Sequence, residues 1–367
     1  AFVAKPSAKG LKTARAAWVK ARNPYQTTEV YRFGNAIVDD WEGKVNAWPL
    51  DEGLIDYVDG SYGKESDENP LFTANVIANT KIAYGGKTVD ASKITKELLS
   101  ESLHEIGKVE ANVATGYHAI EFLLWGQDLN GTGSGAGNRP WTDFATGKRC
   151  TNGHCERRAA YLKVATDLLV DDLAWMAAQW GATGSARKAL DDASDVAGLS
   201  IILTGMGSLS YGELAGERMK LGLILNDPEE EHDCFSDNTH NSHYRDVVGI
   251  RAVYIGEYRR SGGKVVKGAS LSGLVAAIDP ALDREMRAKL DATVDRMAAL
   301  KKRAEMVEAY DQMIGKDNAE GNATVQAAID ALTDQTKSIE RVVAALKLKP
   351  IQFEGSDSLD DPAQVFK

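Results

Sequence analysis

The sequence predicts an all-α protein of two helical bundles. Three observations carry that expectation. Apolar residues recur at helical spacing along most of the 367 residues. Strand signals are nearly absent, Lys264-Val-Val-Lys being the one weak case. A Gly181-to-Ser185 linker then divides the chain into halves, 1–183 and 184–367, that share one alternation of long helices and polar loops. Similar halves suggest a duplicated bundle, although no residue-level repeat accompanies them.

In chain order, Leu11, Ala14, Trp18 and Ala21 form one stripe of a helix over 7–22 that Asn23-Pro24 should stop. A second helix, about 27–47, carries Tyr31, Arg32, Phe33, Asp39, Trp41 and Glu42 and ends at Trp48-Pro49. Its aromatics and acids make Arg32, Glu42 and Trp48 either a cleft wall or a core stripe with solvated acids. A polar loop over 59–69 leads to a short helix over 69–79, a break at Gly85-Gly86, and a helix from Ser92 bearing Leu98, Leu99, Leu103 and Ile106. The next helix should run from Lys108 to Gly126. His104, one helix earlier, should face solvent or pack. Glycine-rich Asn130–Gly137 has neither the Gly-Lys-Ser/Thr nor the preceding strand of a phosphate loop, and reads as a flap.

A long helix should cover 155–180. Helices over 190–225, 241–260, 280–315 and 322–348 follow, with a polar tail over 352–367 lying on the surface. The loop from Asn226 to His243 gathers His232, His240 and His243 around Ser236, Asp237, Asn238 and Thr239. One or two of these cap the next helix, but the whole set together points to a cleft site. Glu229 to Glu231 read as a solvated acidic run.

A net charge of -10 and no basic cluster argue against nucleic-acid binding. No apolar run reaches the roughly 18 residues of a membrane span. The first residues, Ala1-Phe2-Val3, carry no initiator Met or signal peptide, as in a processed chain. Cys150 and Cys155 are spaced for a disulfide in an oxidising compartment, or with His154 for a metal; the disulfide is favoured. Cys234 reads as a small buried residue.

The chemistry concentrates in Gly116-Tyr-His-Ala-Ile-Glu-Phe-Leu-Leu-Trp-Gly126. His118 and Glu121, three apart on a helix, project from one face about one turn apart. The apolar residues around them predict a helix buried on nearly all sides, where an ionised carboxylate needs a donor, a cation or a metal. Imidazole and carboxylate both ligate zinc or iron, and a hydrogen-bonded core pair is the other reading.

Continued to Gln127-Asp128, the stretch resembles the G-x-H-x-x-E signature of the imelysin-like proteins. The likeness extends to Arg32-Phe-Gly, Trp41-Glu42-Gly, Asn46-Ala-Trp48-Pro-Leu-Asp-Glu and Phe235-Ser-Asp-Asn-Thr-His240, within the branch of iron-regulated protein A. The resemblance implies two helical bundles with a site between them, export to the periplasm or outer membrane, and a part in iron acquisition. It implies that His118, Glu121 and His240 hold a metal ion. Arg32, Glu42, Trp48, Arg218, Ser236, Asp237, Asn238 and Thr239 would line the cleft, for iron, an iron chelate or another component of an uptake system. The alternative is a metal-dependent peptidase, with zinc held by His118 and Glu121 and with His240 or Asp237 borrowed as third ligand. Chemistry favours binding: H-x-x-E supplies two ligands and lacks the free Glu of H-E-x-x-H, and there is no Gly-x-Ser-x-Gly elbow.

Overall fold

In the computed structural model, which describes residues 1–366, helix starts follow capping side chains. Asp279 accepts from the amides of Ala281 and Leu282 (both 3.0 Å), Asn318 from Gly321 (2.8 Å) and Ser270 from Gly273 (3.0 Å). The α-helices of eight or more residues are α1 (Ala8–Gln26), α2 (Ala36–Asn46), α3 (Gly116–Trp125), α4 (Cys155–Gln179), α5 (Asp195–Ser208), α6 (Thr239–Ile255), α7 (Leu271–Ile278), α8 (Pro280–Met306) and α9 (Ala319–Ala345). Two antiparallel hairpins complete the regular structure: β1 (Lys81–Tyr84) with β2 (Lys87–Asp90), and β3 (Glu257–Arg259) with β4 (Val265–Lys267). The fold is all-α.

The chain divides into two compact units. The first comprises Ala1–Lys20, Asp40–Leu129 and Ala136–Ala178; the second comprises Ala21–Asp39, Asn130–Gly135 and the chain from Gln179 on. Residues 21–39 fall to the second unit, where the sequence places them in the first half. Val30 and Phe33 are the reason, since both belong to the core that holds Leu203, Met206, Met286 and Ile339.

Inside the first unit, Leu54, Ile55, Ile77, Leu99, Phe122, Leu123 and Tyr161 are buried, and every residue of α3 is buried with them. Several elements differ from expectation for identifiable backbone reasons. α3 starts at Gly116 and not at Lys108, because Glu105, Gly107 and Lys108 are left-handed (φ 52°, 80° and 61°) and turn the chain. Residues 69–79 form turns and not a helix. The amides of Asn75, Val76 and Ile77 donate to the carbonyls of Gly53, Leu54 and Ile55 (2.8, 2.9 and 3.0 Å), so another segment satisfies that backbone. Gly85 and Gly86 (φ 56° and 74°) are the central pair of the turn joining β1 to β2, with Tyr84 opposite Lys87. Of the helix expected from Ser92, a π-helical turn over Leu98–Leu103 forms.

The first two expected helices also shift. α1 continues through Pro24 to Gln26, and Gly34 (φ 82°) splits 27–47 into a 3₁₀ turn at Glu29–Tyr31 and α2. In the second unit the long helix expected over 190–225 becomes the short helix Ser185–Asp191, α5, a π-helical segment Leu209–Lys220 and the short helix Leu221–Leu225. Small residues along the π segment admit the C-terminal chain. A Cβ on Gly212 would lie 2.5 Å from the Glu354 carbonyl, and one on Gly216 2.3 Å from the Ser356 Cβ. Ser358 Oγ donates to the Gly216 carbonyl (3.0 Å) and the Glu354 amide to Ser208 Oγ (3.1 Å). The tail is therefore tied down over 353–358, not merely laid on the surface.

Gly116 is the position least able to change. Its φ of 81° and the Val45 carbonyl 2.5 Å from any Cβ forbid a side chain there. Gly116→Ala is expected to cost about 3 kcal/mol of unfolding free energy in urea titration, while Gly262→Ala, which meets nothing within 4 Å, stays within about 0.5 kcal/mol of wild type.

Candidate functional site

The end of α2 is the seat of α3. His104 Nε2 donates to the Gly43 carbonyl (2.9 Å) and Thr115 Oγ1 to the Lys44 carbonyl (2.9 Å), while Gly116 lies against the Val45 backbone. Because a carbonyl only accepts, His104 carries its proton on Nε2, leaving Nδ1 to accept from the Ala114 amide (3.4 Å). Burial, which outweighs nearby Glu105, holds its pKa below the ordinary value. This histidine packs and is not a solvent-facing group.

One turn along α3, His118 Nδ1 and Glu121 Oε2 are 3.1 Å apart, both side chains wholly buried. The spacing in sequence thus produces the predicted convergence. Trp48, after the cis Trp48–Pro49 bond, places its ring 5.0 Å from the His118 ring. Glu42 is buried and accepts from Asn46 Nδ2 (2.8 Å). His118, Glu121 and Trp48 are brought together in the first unit.

Glu42 is in the first unit too; the remaining predicted residues lie in the second unit, which holds two buried ion-pair systems. Asp233 organises the 233–242 loop. Its Oδ1 accepts from Arg22 Nη2 (2.9 Å), and its Oδ2 from Asn238 Nδ2 (2.7 Å) and Ser242 Oγ (2.5 Å). Its amide donates to Thr239 Oγ1 (2.8 Å). Asn238 and Thr239 thereby shape the loop through Asp233, and Asn238 precedes α6 without a side-chain cap bond. Ser236 reaches the Asp233 carbonyl only at 3.5 Å, and Asp237 sits at φ 53°. Arg22 Nη2 also lies 3.3 Å from His232 Nδ1, which must accept, so that His232 is neutral.

The second system surrounds Arg218, whose Nη2 meets Glu29 (2.9 Å) and Glu213 (2.6 Å). Arg32 joins it at Glu213 (3.4 Å) and also pairs with Asp39 (2.8 Å). Burial opposes the Arg218 charge, but Glu213, Glu29 and Asp246 outweigh it and hold its pKa well above the ordinary value. Burial instead pushes Asp246 well above the carboxylate range, Arg218 notwithstanding. On α6, His240 Nε2 accepts from Asn241 Nδ2 (3.0 Å), and burial with Lys301 pushes its pKa down to about 4.

Sequence reasoning passed over Arg22, Asp233, Glu29 and Asp246. Arg22 and Asp233 are 211 residues apart, and no local pattern links them. It also misplaced Glu231, which is 1% exposed and not a solvated acid. Cys150 and Cys155 form a disulfide, with His154 exposed beside it, so the metal alternative for that loop does not hold. Cys234 is buried, as expected.

Comparison with known proteins adds a family and a fold. The family model described as Imelysin matches residues 1–339. A crystal structure from Parabacteroides distasonis ATCC 8503, whose protein carries the provisional name iron-regulated protein A precursor, is similar with a TM-score of 0.63. It is 18% identical, and the match covers 94% of this chain and 85% of that one. At that identity the likeness is one of fold. No match was found among curated proteins.

His243, wholly buried on α6, supplies a test of these electrostatics. Burial, then Arg218, pushes its pKa from 6.5 down to about 3. The unfolded chain takes up a proton as pH falls through 6.5, and the folded chain does so only near 3. The neutral ring's contribution is therefore complete above 6.5 and lost as pH falls towards 3. Urea unfolding at pH 7 and pH 5 should show wild type losing about 2 kcal/mol more than His243→Gln.

Proposed function

The chain belongs to the imelysin family, and from that premise we propose that it binds a metal ion through His118 and Glu121, in the service of iron acquisition and without catalysis. The observation that supports this most is the convergence of His118 Nδ1 and Glu121 Oε2 to 3.1 Å inside a helix buried all round. Two neighbouring ligands about 2.0–2.2 Å from a tetrahedral ion lie roughly 3.3–3.6 Å apart, so a shift of tenths of an ångström turns this pair into two ligands of one ion. A bound cation would also offset the desolvation of Glu121. Trp48, whose ring lies 5.0 Å from that of His118, would form a wall beside such an ion.

The cargo is iron or an iron chelate, a reading in keeping with the name of the Parabacteroides neighbour. The Cys150–Cys155 disulfide supports an oxidising compartment, the periplasm or the outer-membrane surface, and other iron-uptake components are the partners there. No helix among the described residues is long and apolar enough to cross a membrane. A metallopeptidase, the alternative, would require a general base in addition to its ligands. Glu121 is already engaged with His118, which favours binding over turnover.

Equilibrium dialysis of the EDTA-treated chain against ferric citrate and zinc chloride tests this. Wild type is expected to bind one ion, and His118→Gln and Glu121→Gln at least about tenfold more weakly. Undiminished binding by the two α3 variants would refute the site. Peptide cleavage that needs metal and disappears in both would replace the binding role with the peptidase.

A further inference from the structure

Three carboxylates cluster in the second unit. Glu231 follows the turn at Pro228–Glu230, Asp237 lies in the loop before α6, and Asp311 is in the short helix Tyr310–Ile314 between α8 and α9. One oxygen from each lies within 4.8 Å of the others. Glu231 and Asp311 are buried to 1% and 0% exposure, so neither is a surface acid.

Carboxylate clusters of this kind are common, but two further buried groups point inward here. Glu231 Oε1 has no hydrogen-bonding partner, and neither has the hydroxyl of Tyr310, itself 1% exposed. Burial holds the Glu231 pKa well above its ordinary value, and Asp311, Asp237 and Asp233, all acids, reinforce it; a Thr239 hydrogen bond opposes them weakly. Burial and the Glu231 charge together raise Tyr310 as well. Asp233 has Arg22, and Glu213 has Arg218. No cationic side chain is among the groups acting most on Glu231.

We propose that Glu231, Asp237 and Asp311 bind a hard divalent cation of the calcium class, through ligands other than His118 and Glu121. Three oxygens and no nitrogen or sulfur select calcium, magnesium or manganese over zinc. Calcium accepts six to eight oxygens at about 2.3–2.6 Å, so opposite ligands span roughly 4.6–5.2 Å and the three oxygens fit within its shell. Magnesium keeps several waters and holds ligands at about 2.0–2.1 Å, which suits a buried carboxylate trio less well. Bound calcium would link the 231–237 loop to the α8–α9 connection and neutralise most of the charge buried there. The Tyr310 hydroxyl would then donate to a ligating carboxylate.

The test is calcium chloride added to the EDTA-stripped full chain, followed by thermal unfolding and by titration calorimetry. Wild type should gain about 3 °C or more in Tm once calcium exceeds Kd roughly a hundredfold, with one-to-one binding. Glu231→Gln and Asp237→Asn should each weaken calcium at least tenfold, and Asp237, only half-buried, gives the variant that folds most readily. Magnesium should bind at least tenfold more weakly than calcium. His118→Gln should keep the calcium response, so that failure here and failure of the α3 site are told apart. No calcium-dependent gain in wild type, an undiminished gain in both acid variants, or equal binding of magnesium would overturn the assignment.

Discussion

Close approach of Gly116 to the Val45 carbonyl determines where α3 can lie, and everything chemical on that helix follows from it. Without a Cβ, the first residue of α3 rests on the end of α2, with Thr115 and His104 bonding the two preceding carbonyls, of Lys44 and Gly43. His118 and Glu121 then come two and five residues later, and Trp48 three residues after Val45, within one small volume. Trp18 stiffens the same helix, donating from its indole to the Tyr117 carbonyl (3.0 Å) and meeting the Trp125 ring edge-on at 5.4 Å. The glycine of the motif is thus geometric, and only its histidine and glutamate carry ligand chemistry. A rigid seat lets an apolar helix hold a polar pair in one arrangement.

The second unit solves a different problem, how to keep many charges inside. Arg22 with Asp233, and Arg218 with Glu29 and Glu213, are pairs whose desolvation largely cancels their attraction, so they contribute specificity of register more than net stability. Loss of one partner would still be severe, because it strands the other. Asp233 shows what such a group does locally: the side chains of Arg22, Asn238, Thr239 and Ser242 are oriented by it, and the chain from 233 to 242 takes its course accordingly.

How much of this was legible in the sequence depended on range. The long helices α4, α8 and α9 declare themselves through apolar periodicity, since each buries one stripe. His118 and Glu121 were legible because one helix carries both. Breaks set by left-handed Glu105 and Lys108 were not, as neither residue type favours that conformation. The β1–β2 hairpin had a signal, alternation around Gly85-Gly86, that the helical context hid. Glu231 differs from its neighbours Glu229 and Glu230 only in which way the chain faces, and nothing in a row of three identical acids distinguishes the one that goes inside.

The tether of residues 353–358 to the π-helical segment bears on how the protein is made. Ser208 and Glu354 are 146 residues apart, so the strip around Gly207, Gly212 and Gly216 emerges from the ribosome long before the strand that covers it. Until then a slot lined by glycine backbone stands open on the nascent unit. Its closure has to await the synthesis of residues 353–358, so this part of the second unit cannot reach its final packing before then.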